Sequence, residues 1–123
     1  MGKKKAVSKT NPDALKEAGN KAFGLGSFEE AIKFYTQAIE LAQNHVYYAN
    51  RANAYLELTE FDKCIQDCNE AIKIDPAYIK SYIRKGNAEL SSSLTKQSIQ
   101  TFEKALALDK DNLEIQTLLA EAK

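Results

Sequence analysis

Phe28-Glu29-Glu30-Ala31-Ile32-Lys33-Phe34-Tyr35-Thr36-Gln37-Ala38-Ile39 decides the fold, because the chain writes this pattern three times. Phe61-Asp62-Lys63-Cys64-Ile65 with Cys68-Asn69-Glu70-Ala71-Ile72 repeats it, and Thr95-Lys96-Gln97-Ser98-Ile99 with Phe102-Glu103-Lys104-Ala105-Leu106 repeats it again. The small residues Ala38, Ala71 and Ala105 recur at steps of 33 and 34 residues. An upstream set, Gly19, Ala52 and Gly86, recurs at the same steps. Two separate anchors holding one step mark an internal repeat, the signature of a stacked array.

Each unit reads as two helices. Apolar residues return every three or four positions, as in Leu15, Ala18, Ala22 and Leu25, or Phe28, Ala31, Ile32, Tyr35, Ala38 and Ile39. Pro12 suits a first helical position behind Asn11 or Thr10, and Gly24-Leu25-Gly26 ends that helix. Ser27 with Glu30 predicts a capping box on the next helix. Thr59 or Glu60 is expected to open the second unit's second helix, and Asp75-Pro76 to stop it and start the following one. Asp111 with Glu114 is expected to cap a last helix running to Ala122. The reading is all-α: three helix pairs at about 12–44, 45–78 and 79–110 and a capping helix at 111–122, behind a basic flexible tail at 1–11. Gly19, Ala31 and Ala38 let paired helices approach closely, and Phe28 and Tyr35 fill the remaining space. Leu113, Ile115, Leu118 and Leu119 would cover the open end of the last pair.

Charge excludes some functions. Seventeen basic and seventeen acidic side chains cancel in 123 residues, so no global field draws the chain to nucleic acid or an anionic membrane. Any electrostatic function must come from local clustering. No apolar run approaches spanning length, and Met1-Gly2-Lys3-Lys4-Lys5-Ala6 lacks a signal-peptide core. Ala6 stands where a myristoylation motif wants Ser or Thr. Cys64 and Cys68 are expected as reduced, buried thiols of a cytoplasmic protein, since their spacing is not Cys-x-x-Cys and no second ligand pair exists. His45 has no nucleophile partner at a recognisable motif and is expected at a helix junction. With no paired-carboxylate logic and no phosphate loop, the chain is expected not to be an enzyme and to need no metal or cofactor.

The period, the small anchors and the aromatic positions together resemble the tetratricopeptide repeat family over about residues 12–122. The sequence departs from the pattern in places. Gln43 replaces the closing proline of the first unit, Cys64 the customary alanine and Cys68 an aromatic of the second. Ser93-Leu94-Thr95 replaces the usual Gly-Asp/Asn-aromatic turn of the third, which predicts a looser turn there. The resemblance implies a right-handed superhelix whose concave face is lined by the first helix of each pair.

On that face the first helices present Lys16 and Asn20 one turn apart, Asn50, and then Lys80 and Arg84 one turn apart. Stacking is expected to bring these donors onto one patch with no acid in it. Lysine offers a mobile charge with three donors, arginine a planar fork, and asparagine a donor that adds no self-repulsion. Such a patch suits a C-terminal aspartate, which carries a side-chain and a terminal carboxylate. The arrangement is similar to the dicarboxylate clamp of chaperone-binding tetratricopeptide domains, such as those of heat-shock organising and phosphatase-associated proteins. In that class it holds the Glu-Glu-Val-Asp tails of the 70-kDa and 90-kDa heat-shock chaperones. The resemblance therefore implies a monomeric co-chaperone adaptor. Phe23, Asn53, Glu57 and Asn87 project toward the same groove by spacing and are candidates for contacting the tail upstream of its end. Arg51 and Lys85 are expected to serve the surface or internal pairs. Two other readings stand beside this one. The chain could target or regulate a larger enzyme such as a phosphatase, prolyl isomerase or ubiquitin ligase, or it could be a scaffold that ignores carboxylates.

Overall fold

The computed structural model describes residues 11–123; the tail expected at 1–11 falls almost wholly outside them. Among the described residues there are seven helices and no strand: α1 Pro12–Gly24, α2 Phe28–Leu41, α3 His45–Glu57, α4 Phe61–Ile74, α5 Ile79–Ser91, α6 Thr95–Leu108 and α7 Leu113–Ala122. Each packs on the next in chain order, and α3 also touches both α1 and α5. Alternate helices therefore lie side by side, which is what a shared face across α1, α3 and α5 requires.

The repeated small residues set the spacing within each pair. A Cβ on Gly19 would stand 2.5 Å from Cε1 of Tyr35, and one on Gly86 would meet the ring of Phe102 closer still. Both rings are buried, so neither can swing away. The middle unit solves the same contact differently. Ala52 takes the glycine position and Cys68 the aromatic position, and both are fully buried. A smaller partner on α4 makes room for the extra methyl on α3, which explains the cysteine as packing. Ile115, Leu119 and Ala122 of α7, with Leu118 beside them, close the last pair against Tyr82, Phe102 and Ala105, whereas Leu113, expected to help cover it, stays exposed at the helix start.

The turns inside the three pairs share one geometry. Each has three residues, with the middle one in the left-handed region: Gly26 at φ 79°, Thr59 at 57° and Ser93 at 68°. In each, the residue after the left-handed one donates its N–H five residues back (Ser27 to Ala22, Glu60 to Tyr55, Leu94 to Glu89), and the left-handed residue donates three back. These are Schellman closures. The third turn is thus as tightly bonded as the others, contrary to the looser turn expected from Ser93-Leu94-Thr95.

The same geometry corrects the capping expectations. Ser27 and Glu60 hold N-cap positions without any side-chain cap bond. Each residue closes one helix while opening the next, at ψ near 75°, short of the extended geometry that aims a cap side chain at the helix. Glu60 instead pairs with Lys63 at 3.0 Å. Three helix starts outside those turns carry ordinary caps: Asn11 accepts from the N–H of Ala14, Asn44 from Val46 and Asn112, not Asp111, from Ile115. Asp75 ends α4 as expected, but Pro76 does not start α5, which begins at Ile79. Asp75 Oδ1 accepts from the N–H of Ala77, and the Pro76 carbonyl accepts from the Tyr82 hydroxyl at 2.7 Å, so this segment is a braced turn. His45 sits at that junction, its ring edge-on to Tyr78 and Nε2 3.4 Å from Asp75 Oδ2.

Candidate functional site

α1, α3 and α5 enclose a recess of about 400 Å³. Lys16 and Asn20 reach it from α1, Asn50 from α3, and Lys80 and Arg84 from α5. All five predicted donors thus share one hollow, and no acidic side chain lines it. Phe23 and Asn53 line it as well. Asn87 lies next door, in a second recess of about 230 Å³ that also holds Asn53, Lys80 and Arg84. Glu57, the remaining member of the predicted outer set, is exposed at the end of α3 and lines neither recess.

The asparagines are held in one orientation. The Tyr35 hydroxyl donates to Asn20 Oδ1 at 2.6 Å, and Asn50 Nδ2 donates to the same oxygen at 3.2 Å. Both acceptor directions of that carbonyl are then used, which leaves the Asn20 NH2 and the second Asn50 hydrogen as donors for a ligand. Burial pushes the Tyr35 hydroxyl up to about 12, so it stays protonated and keeps this role at neutral pH. Tyr35 was read from the sequence only as a core filler. The signal was present: at the equivalent positions of the three units, Tyr35, Cys68 and Phe102, only the first carries a hydroxyl.

Arg84 is the most confined cation. Its Nη1 donates to the carbonyl of Ala49 at 3.0 Å, tying α5 to α3. Burial holds its pKa below the usual arginine range, the mark of a cation short of solvent. Among the described residues neither Arg84 nor Lys80 has an acidic partner within 4.0 Å, whereas Lys16 stands 3.5 Å from the exposed Glu17. On its α5 side the recess is therefore charged and uncompensated, an arrangement that favours an arriving carboxylate able to make charge-assisted hydrogen bonds.

Neighbouring cations are kept out of it. Arg51, one residue after Asn50, forks onto Asp67 through Nε and Nη2 at 2.7 and 2.8 Å and donates to Thr36 at 3.0 Å. That carboxylate raises the Arg51 pKa, and Tyr48 and Tyr55 flank the guanidinium. Its role as an internal pair is the one expected. Cys64 and Cys68 are buried without a disulfide. The Cys68 thiol is held well above its ordinary pKa by its hydrogen bond with Cys64 and by burial, which suits packing and not redox chemistry.

The tetratricopeptide repeat pattern matches residues 12–45, 46–78 and 79–112, one match per helix pair. The chain belongs to the tetratricopeptide repeat family. Its fold is accordingly the all-α tetratricopeptide superhelix with a capping helix. Among curated relatives, the small glutamine-rich tetratricopeptide repeat-containing protein 2 of Saccharomyces cerevisiae is 39% identical over 108 residues, covering 87% of this chain and 31% of that protein. The chain thus spans about a third of that relative's length. The first tetratricopeptide domain of Spaghetti (RPAP3), solved bound to the HSP90 peptide SRMEEVD, superposes with a TM-score of 0.87 at 34% identity, covering 90% of this chain and 91% of that one. The second such domain of human RPAP3, in complex with the HSP70 peptide SGPTIEEVD, gives 0.85 at 32% identity, with 91% and 98% covered.

Proposed function

We propose that the chain is a co-chaperone adaptor that binds the C-terminal Glu-Glu-Val-Asp tails of heat-shock chaperones of the 70-kDa or 90-kDa class through a dicarboxylate clamp. One observation carries this reading. Lys16, Asn20, Asn50, Lys80 and Arg84 line a single recess that has no acid of its own. The similarity to domains solved with peptides ending in EEVD supports the same partner class.

The mechanism follows from the donor types. The terminal carboxylate and the aspartate side chain carry two negative charges a few ångströms apart, and the recess offers Lys16 on one wall and Lys80 with Arg84 on the other. Asn20 and Asn50 bridge between them with oriented N–H donors. Each charge-assisted bond contributes about 1.5–3 kcal/mol, and ordering and desolvation subtract much of the sum. The expected result is binding at about micromolar strength, near −8 kcal/mol. The chain acts by holding a peptide and not by catalysis, and its compartment is the cytoplasm, where such tails are displayed. Among the described residues no helix is long and apolar enough to cross a membrane.

Titration with a peptide ending in EEVD, beside the same peptide amidated at its C-terminus, tests the reading. Amidation removes one of the two clamped carboxylates and should weaken binding by at least tenfold. Equal affinity for both peptides would remove the clamp.

A further inference from the structure

The second recess holds an acid where the first has none: Glu114 of α7 lines it. No other acid lines either recess. Leu56 and Ile83 give the second recess an apolar part, Asn53 and Asn87 a neutral polar part, and Lys80 and Arg84 join it to the clamp. Glu114 is exposed and has no cation within 4.0 Å among the described residues. When a tail is clamped, its own carboxylates claim Lys80 and Arg84. The carboxylate of Glu114 would then be the uncompensated charge in the recess beside the clamp.

Reach fixes what that charge would meet. Five residues of extended peptide span about 16 Å, about two packed-helix intervals of about 8–10 Å, enough to run from the clamp into the adjoining recess that shares Asn53, Lys80 and Arg84 with it. The peptide SRMEEVD carries its arginine five residues before the terminal aspartate, whereas SGPTIEEVD carries no basic residue. Resting on the clamp reading, we propose that Glu114 makes the second recess a subsite for a basic side chain about five residues before the terminal aspartate. The chain thereby prefers tails of the SRMEEVD kind to tails of the SGPTIEEVD kind.

Glu114 also stands in the first turn of α7, where an acid suits the helix dipole. That role alone would affect melting but not discrimination between peptides. The test is calorimetric titration at low salt of the wild-type chain and Glu114→Gln, each with SRMEEVD and with the same peptide carrying alanine for arginine. Loss of the arginine should weaken binding to the wild type about threefold, the size of an exposed ion pair. Glu114→Gln should weaken SRMEEVD by the same factor and leave the alanine peptide unchanged, and the difference should vanish at about 0.5 M salt. An arginine effect of equal size in both proteins would overturn the subsite while leaving the clamp intact. If amidating either peptide changes nothing, or neither peptide binds the wild type, the clamp itself fails and the subsite with it. The exposed position of Glu114 and the intact Asn112 cap keep the variant folded, which its melting curve verifies.

Discussion

Replacing Arg84 with alanine should affect peptide binding far more than stability. Among the described residues the Arg84 side chain makes one hydrogen bond, to the Ala49 carbonyl, and its desolvated charge has no acid within 4.0 Å. Losing the bond costs about 0.5–1.5 kcal/mol, and relief of the stranded charge offsets part of that. Stability should fall by under about 1 kcal/mol, a shift in melting temperature of about 4 °C for a domain of this size. Binding should respond on another scale. With a tail in place the guanidinium would be one half of a partly buried ion pair, and removing it strands the carboxylate at a cost of about 2–5 kcal/mol. That is a weakening of about thirtyfold at the least. Arg84→Lys keeps the charge but loses the planar fork, so its affinity should fall between the two. The assay is calorimetric titration with an EEVD peptide, beside thermal melting of the same samples. A dissociation constant within threefold of wild type, with an unchanged melting curve, would refute the reasoning.

Four further outcomes follow from the packing and the network. Tyr35→Phe removes the hydroxyl that orients Asn20 and should weaken peptide binding by about three- to tenfold, equivalent to the net value of one hydrogen bond, as titration would show. Gly86→Ala drives a methyl into the buried Phe102 ring and should cost about 1–3 kcal/mol by urea denaturation. Combining it with Phe102→Cys, which copies the Ala52 and Cys68 pair, should cost less than the sum of the two single changes. Thr59→Gly relieves a β-branched residue at φ 57° and should raise stability by about 1 kcal/mol, read as a higher urea midpoint. Burial raises Tyr35 to about 12, and burial together with the hydrogen bond to Asp13 raises Tyr47 to about 12, from 10.0. Both protons are held more tightly when folded, so their stabilisation is complete below pH 10 and is lost as pH rises toward 12. Ultraviolet titration of tyrosinate should show these two ionising late, together with alkaline unfolding.

The fold was legible because its decisive contacts are made by residue size at fixed steps. Gly19, Ala52 and Gly86 can face Tyr35, Cys68 and Phe102 in only one arrangement, so the period alone placed three helix pairs. The convergence of the five donors was legible because the family resemblance assigned the first helix of each pair to one face, where positions one turn apart on alternate helices meet once the pairs stack. What the sequence hid depends on where hydrogen bonds go. Ser27 looks like a cap, yet a three-residue Schellman turn fixes its backbone so that its hydroxyl caps nothing. The third turn lacks glycine and still closes, because Ser93 accepts the left-handed conformation in return for the same two backbone bonds. Pro76 marks a turn and not a helix start, since Asp75 and Tyr82 brace the segment around it. Tyr35 lines the clamp recess from α2, and Glu114 lines the second recess from α7, both outside the face that repeat spacing describes. Glu57 obeys the spacing but lines neither recess, although its neighbour Leu56 lines the second.

Side-chain magnetic resonance during titration tests the convergence of donors on a carboxylate most directly. With an EEVD peptide, the largest shifts should fall on the NH2 groups of Asn20 and Asn50 and on Nε–H of Arg84, while Nε–H of Arg51, committed to Asp67, stays in place. Large shifts around Lys85 and Lys104, which line a separate recess formed by α4, α5 and α6, with Asn20, Asn50 and Arg84 unmoved, would contradict the account.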